Sequence, residues 1–228
     1  MENANEIIEK FNNALSNNPN FIVKGGKIYA FMKRCFDISA SLLALILLSP
    51  LFIIIGFLVL ITSKGPIIYK SVRVTTNGKL FYMYKFRSMY KDADKRKKEL
   101  MSQNEVEGGI TFKMKNDPRI TPVGKFLRKT SLDELPQLLN IIGGSMSLIG
   151  PRAPLPEEVM KYSEKDMLRL TVKQGVSGEW QTHGRSNTTF DEMIDMDLDY
   201  IQNKRRFWYD IKLCFLTVWV SITGRGAE

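Results

Sequence analysis

The stretch Ile38 to Ile61, ISASLLALILLSPLFIIIGFLVLI, carries no charged residue and constrains the fold more than any other part of the chain. As one helix its 24 residues would reach ~36 Å, enough to cross a hydrocarbon core of ~30 Å. Two features argue against a straight span. Lys24, Lys27, Lys33 and Arg34 precede the run and Lys64, Lys70 and Arg73 follow it, so the flanks lack the basic asymmetry that orients a spanning helix. Ser49-Pro50 sits at the midpoint, where proline removes a backbone donor and clashes with the preceding turn. Each half is then ~18 Å long, about half a bilayer. The Ser49 hydroxyl can bond a freed carbonyl and make the break tolerable in lipid. The run reads as a re-entrant hairpin entering and leaving by one face, with a kinked spanning helix as the alternative.

The rest of the 228 residues suffices for one domain, and 44% hydrophobic content with 25% charge excludes a disordered chain. The charge is lopsided, 33 Lys+Arg against 24 Asp+Glu, and the resulting +9 implies an anionic partner: nucleic acid, anionic lipid or a phosphorylated substrate. A single histidine, His183, and the absence of Cys/His spacing argue against zinc. Cys35 and Cys214 each lie beside an apolar run and read as buried, reduced thiols. Residues 1–32 read as a polar, Asn-rich extension without a cleavable signal, 33–64 as the membrane element, and 65–228 as a compact domain lying on the membrane.

Within that domain, Ile67 to Val74 and Leu80 to Phe86 are β-branched and aromatic, and Thr76-Asn77-Gly78 between them predicts a β-hairpin. Tyr90 to Asn104 reads as a charged helix whose KRKK block is either a solvated face or a contact for anionic headgroups. A loop with Gly108-Gly109 and Asn116-Asp117-Pro118 leads to a short helix over Gly124 to Lys129. Ser147 to Pro156, SLIGPRAPLP, must be loop or extended chain, while Pro156 to Lys165 and Phe190 to Lys204 read as helices. The tail, Ile211 to Thr223, is apolar, flanked by aromatics and too short to span; a core helix and an interfacial helix fit it equally. The fold class expected is α+β, mostly helical, with a small antiparallel hairpin and amphipathic helices at the interface.

Asp133-Glu134 is the densest chemical signal. The bland reading is a capping box, Ser131-x-x-Glu134. Its neighbours support another. Arg128 and Lys129 lie just upstream, and Gly143, Gly144, Ser145, Ser147, Gly150 and Arg152 just downstream. Arginines grip phosphate oxygens bidentately, glycines let backbone N–H groups approach them, and carboxylates with phosphate oxygens suit Mg²⁺. No Walker-type loop or dinucleotide fingerprint is present.

KFRSM (Lys85 to Met89) followed by GKFLRKTSLDELPQLLNIIGGSMSLIGPRAPLP (Gly124 to Pro156) closely resembles the bacterial sugar transferase family, monotopic phosphoglycosyl transferases that act on polyprenol phosphates. The resemblance runs from about Lys33 to the C-terminus and includes the Ser49-Pro50 break. It implies a bacterial cytoplasmic-membrane enzyme on the cytoplasmic face that moves a sugar-1-phosphate from a UDP-sugar to undecaprenyl phosphate, releasing UMP and starting exopolysaccharide, capsule or O-antigen synthesis. Asp133 would be the nucleophile, forming a phosphosugar-aspartyl intermediate, and Glu134 would orient it; both would hold Mg²⁺. Arg128 and Arg152 match phosphate-binding positions, with Lys85 and Arg87 as weaker candidates. Lys173-Gln174-Gly175, Gly178-Glu179-Trp180-Gln181 and Gly184-Arg185-Ser186 resemble the branch acting on UDP-hexoses, UDP-glucose or UDP-galactose, which adds Gln181 and Arg185 as substrate contacts. Gln174 in place of a common proline, Glu179 before Trp180, and Ala153 within the Pro-Arg-Pro pattern depart from the family and leave the sugar open. His183 in its loop reads as incidental. Expected partners also include membrane phospholipids and a second copy of the chain in a homodimer. A non-catalytic membrane scaffold is the alternative, and it leaves the dyad unexplained. Nucleic acid is not expected, because no groove-reading motif accompanies the basic blocks.

Overall fold

The computed structural model describes residues 4–100, 114, 117–183 and 188–223. The fold is α+β and mostly helical, with one small antiparallel hairpin. The chain opens with a helix, α1 (Ala4–Asn17), in a region the sequence reading treated only as polar. Ile7, Phe11 and Ala14 recur at helical spacing and are almost fully buried against Val74, Val159, Tyr162, Met167 and Leu170. Lys10 Nζ ties the helix down by donating to the Met160 carbonyl at 2.9 Å.

The apolar run forms two helices, α2 (Lys27–Leu47) and α3 (Ser49–Thr62), bent by 65°. Pro50 cannot donate to the Ile46 carbonyl, and the Ser49 hydroxyl donates to that same oxygen at 2.8 Å. The break predicted from Ser-Pro is thus satisfied internally. Among the described residues no single helix is long and apolar enough to cross a membrane, whereas the bent pair together has the length and composition.

The first half of α2 is fastened to the domain by polar contacts. Arg34 donates to the carbonyls of Ile141 and Ile142. Asp37, buried, accepts from Leu148 N at 3.1 Å. Lys33 and Tyr29 both reach Asp210 Oδ2 at 2.7 Å. Around the bend the surface is apolar, and Leu43, Ile46, Leu47, Ile53, Phe57 and Ile61 are each more than half exposed. Cys35 is exposed rather than buried as expected, and Cys214 is half-buried; both are free.

Strands β1 (Ile68–Val74) and β2 (Leu80–Phe86) pair antiparallel from Ile68↔Phe86 to Val74↔Leu80, as the sequence predicted. Asn77 and Gly78 take positive φ of 60° and 74° to turn the chain between them. The next helix, α4 (Ala93–Glu99), is shorter than the predicted Tyr90 to Asn104, whose last four residues lie outside the described ones, as do Gly108-Gly109 and Asn116. Helix α5 (Pro122–Lys129) starts with Thr121 Oγ1 accepting from Gly124 N at 2.9 Å and with proline in its first turn. A 3₁₀ turn (Leu132–Glu134) and α6 (Gln137–Ile142) follow, the latter closed by Gly143 and Gly144.

Ser147–Ile149 forms β3, which pairs in parallel with β4 (Gly175–Ser177) in a second two-stranded sheet that no local pattern announced. The predicted helix over Pro156 to Lys165 is instead two short pieces, α7 (Pro156–Val159) and α8 (Glu164–Met167). The interruption is a restart: Ser163 and Asp166 form a capping box that begins α8 afresh. After α9 (Glu179–His183), α10 (Phe190–Asp199) runs into a π turn (Tyr200–Lys204). The last helix, α11 (Phe207–Thr223), buries Leu213 in the main core of Ile149, Leu168, Met193, Ile194 and Ile201. Its other side exposes Trp208, Phe215, Val218 and Trp219, so the core reading of the tail holds for the side that carries Leu213.

Candidate active site

Asp133 and Glu134 lie on the 3₁₀ turn that α5 delivers against β2. Ser131 stands just before them with a positive φ of 57°, a left-handed conformation a non-glycine residue rarely takes. Its side chain caps nothing, so the capping-box reading fails. The Glu134 carboxylate points to Lys85 instead, accepting from Nζ at 2.6 Å, and the same ammonium stands 4.0 Å from Asp133 Oδ2. One lysine from the predicted hairpin therefore bridges both carboxylates.

Solvent access separates the pair, with the side chain of Asp133 8% exposed and that of Glu134 33%. Burial raises the Asp133 carboxyl to about 6 against the pull of Lys85, with the Glu134 charge adding to the rise and Arg128 opposing it. Glu134 goes the other way. Burial alone would raise it, but Lys85, through charge and hydrogen bond, together with Arg152 and Arg73, holds it below its ordinary value. Two adjacent carboxyls are thus driven apart in proton affinity, as acid, base and nucleophile assignments require.

Arg128 sits in the last turn of α5, exposed, with its charge felt at Asp133. Arg152 follows β3 and donates through Nη1 to Glu158 Oε2 at 3.2 Å. That carboxylate also accepts from Leu155 N at 2.8 Å, so the proline-rich segment is folded around Arg152. The alignment of these parts depends on close backbone approach. A Cβ on Gly124 would lie 1.9 Å from the Ser88 carbonyl, so only glycine lets α5 meet the KFRSM segment.

Arg87 goes elsewhere. It is buried, and its guanidinium donates to Ser63 Oγ at 3.0 Å and to the carbonyls of Val59, Ser63 and Pro66, closing the C-terminal end of α3. Gln181 lies on α9, packed with α10 and α11, and Arg185 with Gly184 and Ser186 lies outside the described residues. His183 approaches Glu179 of its own helix.

The Gly/Ser segment does not form the phosphate cradle that sequence reading suggested. Gly143 N bonds Leu139 O, Gly144 N bonds Ile141 O, Ser145 N bonds Asn140 O and Ser147 N bonds Gln174 O. Gly150 N donates to Ser177 O at 2.9 Å, and a Cβ there would lie 2.3 Å from the Lys173 carbonyl. These amides end α6 and knit β3 to β4, so they cannot turn toward a ligand. The residue that sequence reading missed is Arg73, whose charge reaches Glu134 and Arg152. Period-two alternation along β1 puts it on the hairpin face that carries Lys85, which was the available signal.

Among the described residues no group of three or more His, Cys, Asp or Glu side chains could hold a metal alone. Asp133 and Glu134 supply two hard carboxylate donors, the number Mg²⁺ uses when substrate phosphates complete its shell. The dyad fits that ion as a partner of a bound phosphate.

A buried Asp133 and a partly exposed Glu134, bridged by Lys85 and near Arg128, Arg152 and Arg73, are the kinds of group that phosphate chemistry uses. Residues 28–224 match the family described as bacterial sugar transferase. The chain belongs to the bacterial sugar transferase family. Within this family it is 45% identical over 199 residues to the galactosyl transferase CpsE of Streptococcus agalactiae, covering 86% of this chain and 43% of that protein. It is 44% identical to the undecaprenyl-phosphate galactose phosphotransferase of Salmonella typhimurium, covering 86% and 42%. The exopolysaccharide production protein ExoY of Rhizobium meliloti is 39% identical, covering 86% and 87%. The chain thus spans less than half the length of the first two relatives and most of the third.

Proposed function

We propose that this sugar transferase family member moves a sugar-1-phosphate from a UDP-sugar, UDP-glucose or UDP-galactose, to undecaprenyl phosphate and releases UMP. The observation that carries the reading is the Asp133–Glu134 dyad, bridged by Lys85 and flanked by Arg128 and Arg152. The relatives' names support the substrate class, since one is an undecaprenyl-phosphate galactose phosphotransferase and another, from Escherichia coli, a UDP-glucose:undecaprenyl-phosphate glucose-1-phosphate transferase.

Asp133, ionised in the main at neutral pH with a carboxyl near 6, attacks the β-phosphorus. The bond to the bridging oxygen breaks and UMP leaves with the electron pair. The phosphate of the lipid acceptor then attacks the same phosphorus and frees the Asp133 carboxylate. Glu134, ionised and clamped to Lys85, holds Asp133 in place by keeping the turn fixed against β2. Lys85 and Arg128 screen the charge that gathers on the phosphorus oxygens in each step, and Arg152 meets the charge of the donor's diphosphate. Mg²⁺, when bound by Asp133 and Glu134 with phosphate oxygens, supplies further charge neutralisation.

The bent pair α2–α3 serves as a re-entrant membrane hairpin at the cytoplasmic face of a bacterial cytoplasmic membrane. Its polar base is fastened beside the dyad's domain while its tip is bare and apolar. Arg87 closes α3 just before the hairpin that carries Lys85, which couples the membrane element to the site. The exposed aromatic side of α11 lies along the same membrane surface. Incubating the protein with Mg²⁺, lipid phosphate and a panel of UDP-sugars tests the chemistry through UMP release; silence with every sugar contradicts it. Tags at Asn5 and Glu228 test the topology: both are expected to be protected from external reagents, and one accessible end contradicts a re-entrant hairpin.

A further inference from the structure

On β1 the alternate residues Tyr69, Ser71 and Arg73 share the hairpin face that β2 presents through Phe81, Met83 and Lys85. Arg73 pairs with Phe81, four strand positions or roughly 13 Å from Lys85, so two long cations rise from opposite ends of one face. Arg73 is built into place. Its Nε donates to Ser71 Oγ at 3.2 Å and its Nη1 to the Ala153 carbonyl at 3.0 Å, while Nη2 makes no hydrogen bond among the described residues. One residue on, Val74 N donates to Pro154 O at 3.0 Å, so β1 is stapled to the segment bearing Arg152. Arg152 is restrained in turn by Glu158.

Two guanidinium groups are therefore held near each other, one bonded to a carboxylate and the other to neutral oxygens only. Burial first, and then the Arg152 charge, pushes Arg73 down to about 10. Two guanidinium groups held near each other, one with its Nη2 unbonded among the described residues, favour an incoming anion. Lys85 reaches both carboxylates of the dyad, whereas Arg73 stands four strand positions away along the hairpin and is tied to the segment bearing Arg152.

We propose that Arg73 and Arg152 form a second anion subsite, apart from the side where Asp133 works, which takes the α-phosphate of the nucleotide donor and holds the departing UMP. This assignment rests on the phosphosugar-transfer reading above. When the bond from the β-phosphorus to the bridging oxygen breaks, the electron pair stays on UMP. A phosphate that carried one negative charge in the diphosphate becomes a monoester carrying close to two. Arg73 and Arg152 stand where that added charge appears, so they favour departure as well as binding.

The test is calorimetric binding of UMP to the full chain in detergent at fixed Mg²⁺, using wild type, Arg73→Gln, Arg73→Lys and Arg128→Gln. Arg73→Gln is expected to weaken UMP about tenfold or more, Arg73→Lys to recover part of the loss, and Arg128→Gln to lose transfer while holding UMP within about threefold. Product inhibition by UMP and KM for the UDP-sugar should follow the same order, with KM for lipid phosphate unmoved by Arg73→Gln. Unchanged UMP affinity in Arg73→Gln, or equal loss in Arg73→Gln and Arg128→Gln, overturns the subsite. If Arg73→Gln does not fold, Arg73→Lys decides: intermediate affinity supports the subsite and wild-type affinity overturns it. Arg73-dependent UMP binding in a wild type that releases no UMP from any UDP-sugar would retain the subsite and overturn the transferase reading. A wild type that does not bind UMP overturns the subsite.

Discussion

Two charged assemblies meet at Arg152, and they differ in how far each is shut away from solvent. In one, Arg169 is paired with Asp197, their side chains 0% and 2% exposed. Arg169 also bonds Tyr162 Oη at 2.9 Å and the Arg152 carbonyl at 3.4 Å. This assembly is sealed, one cation to one carboxylate. The dyad assembly is open: Lys85 is 24% and Glu134 33% exposed, and Arg128, Arg152 and Arg73 bring more positive charge than the carboxylates need. A pair shut away from solvent gives a ligand no access, whereas partial exposure with an excess of cations leaves room for phosphate. Burial of a charge alone is therefore a poor sign of function; incomplete pairing at a solvent edge is the better one.

The sharpest way to break the comparison is to remove one group from each assembly. Asp133→Asn is nearly isosteric and should lower transfer by ~10³-fold or more while leaving thermal unfolding in place, as measured by UMP release and calorimetry. Arg169→Met should do the reverse. It leaves Asp197 buried and unpaired, costing about 3–5 kcal/mol by denaturant titration, while folded molecules keep transferring. Replacing both Arg169 and Asp197 by apolar residues should restore most of that stability; failure to do so would show that the sealed pair is more than structural.

Lys85→Met should have a smaller effect, about 10²-fold in kcat/KM, because the arginines remain to meet the phosphates. It should also let the Glu134 carboxyl rise, visible by carboxylate NMR. The smallest effect is expected at Asp117, whose tendency to rise with burial is outweighed by hydrogen bonds and charge from Arg119. A carboxyl held below its ordinary value in the folded chain stabilises above the unfolded value and loses that contribution as pH falls through the folded value. Asp117→Asn should therefore cost about 1 kcal/mol at neutral pH and nothing at strongly acidic pH, in urea titrations at both.

What could be seen in the sequence was whatever local chemistry dictates. The hairpin followed from β-branched runs around Asn77-Gly78, and the bend from Ser49-Pro50, down to the hydroxyl that takes the freed Ile46 carbonyl. The pairing of Asp133-Glu134 with nearby cations was legible as a pattern, although Lys85 as the bridging group needed the fold. Helix α1 escaped because its stripe of three buried residues is thin among polar ones and gains its stability from a surface distant in sequence. The β3–β4 sheet depends on segments almost thirty residues apart, which no window of local periodicity detects. Gly150 suggested a phosphate loop, whereas its missing side chain serves strand packing. Arg87 suggested a ligand contact, whereas its donors close α3. In both cases residue type was read correctly and the partner was not, since a donor's partner is set by tertiary placement.

The central claim is that Asp133 becomes covalently loaded. Intact-protein mass spectrometry after incubation with Mg²⁺ and the preferred UDP-sugar, with lipid phosphate withheld, tests it most directly. The expected result is a mass increase of one sugar phosphate, mapped to the peptide containing Asp133, lost on adding lipid phosphate and missing in Asp133→Asn. Turnover to the lipid product without any such adduct, or with the adduct on another residue, would contradict it.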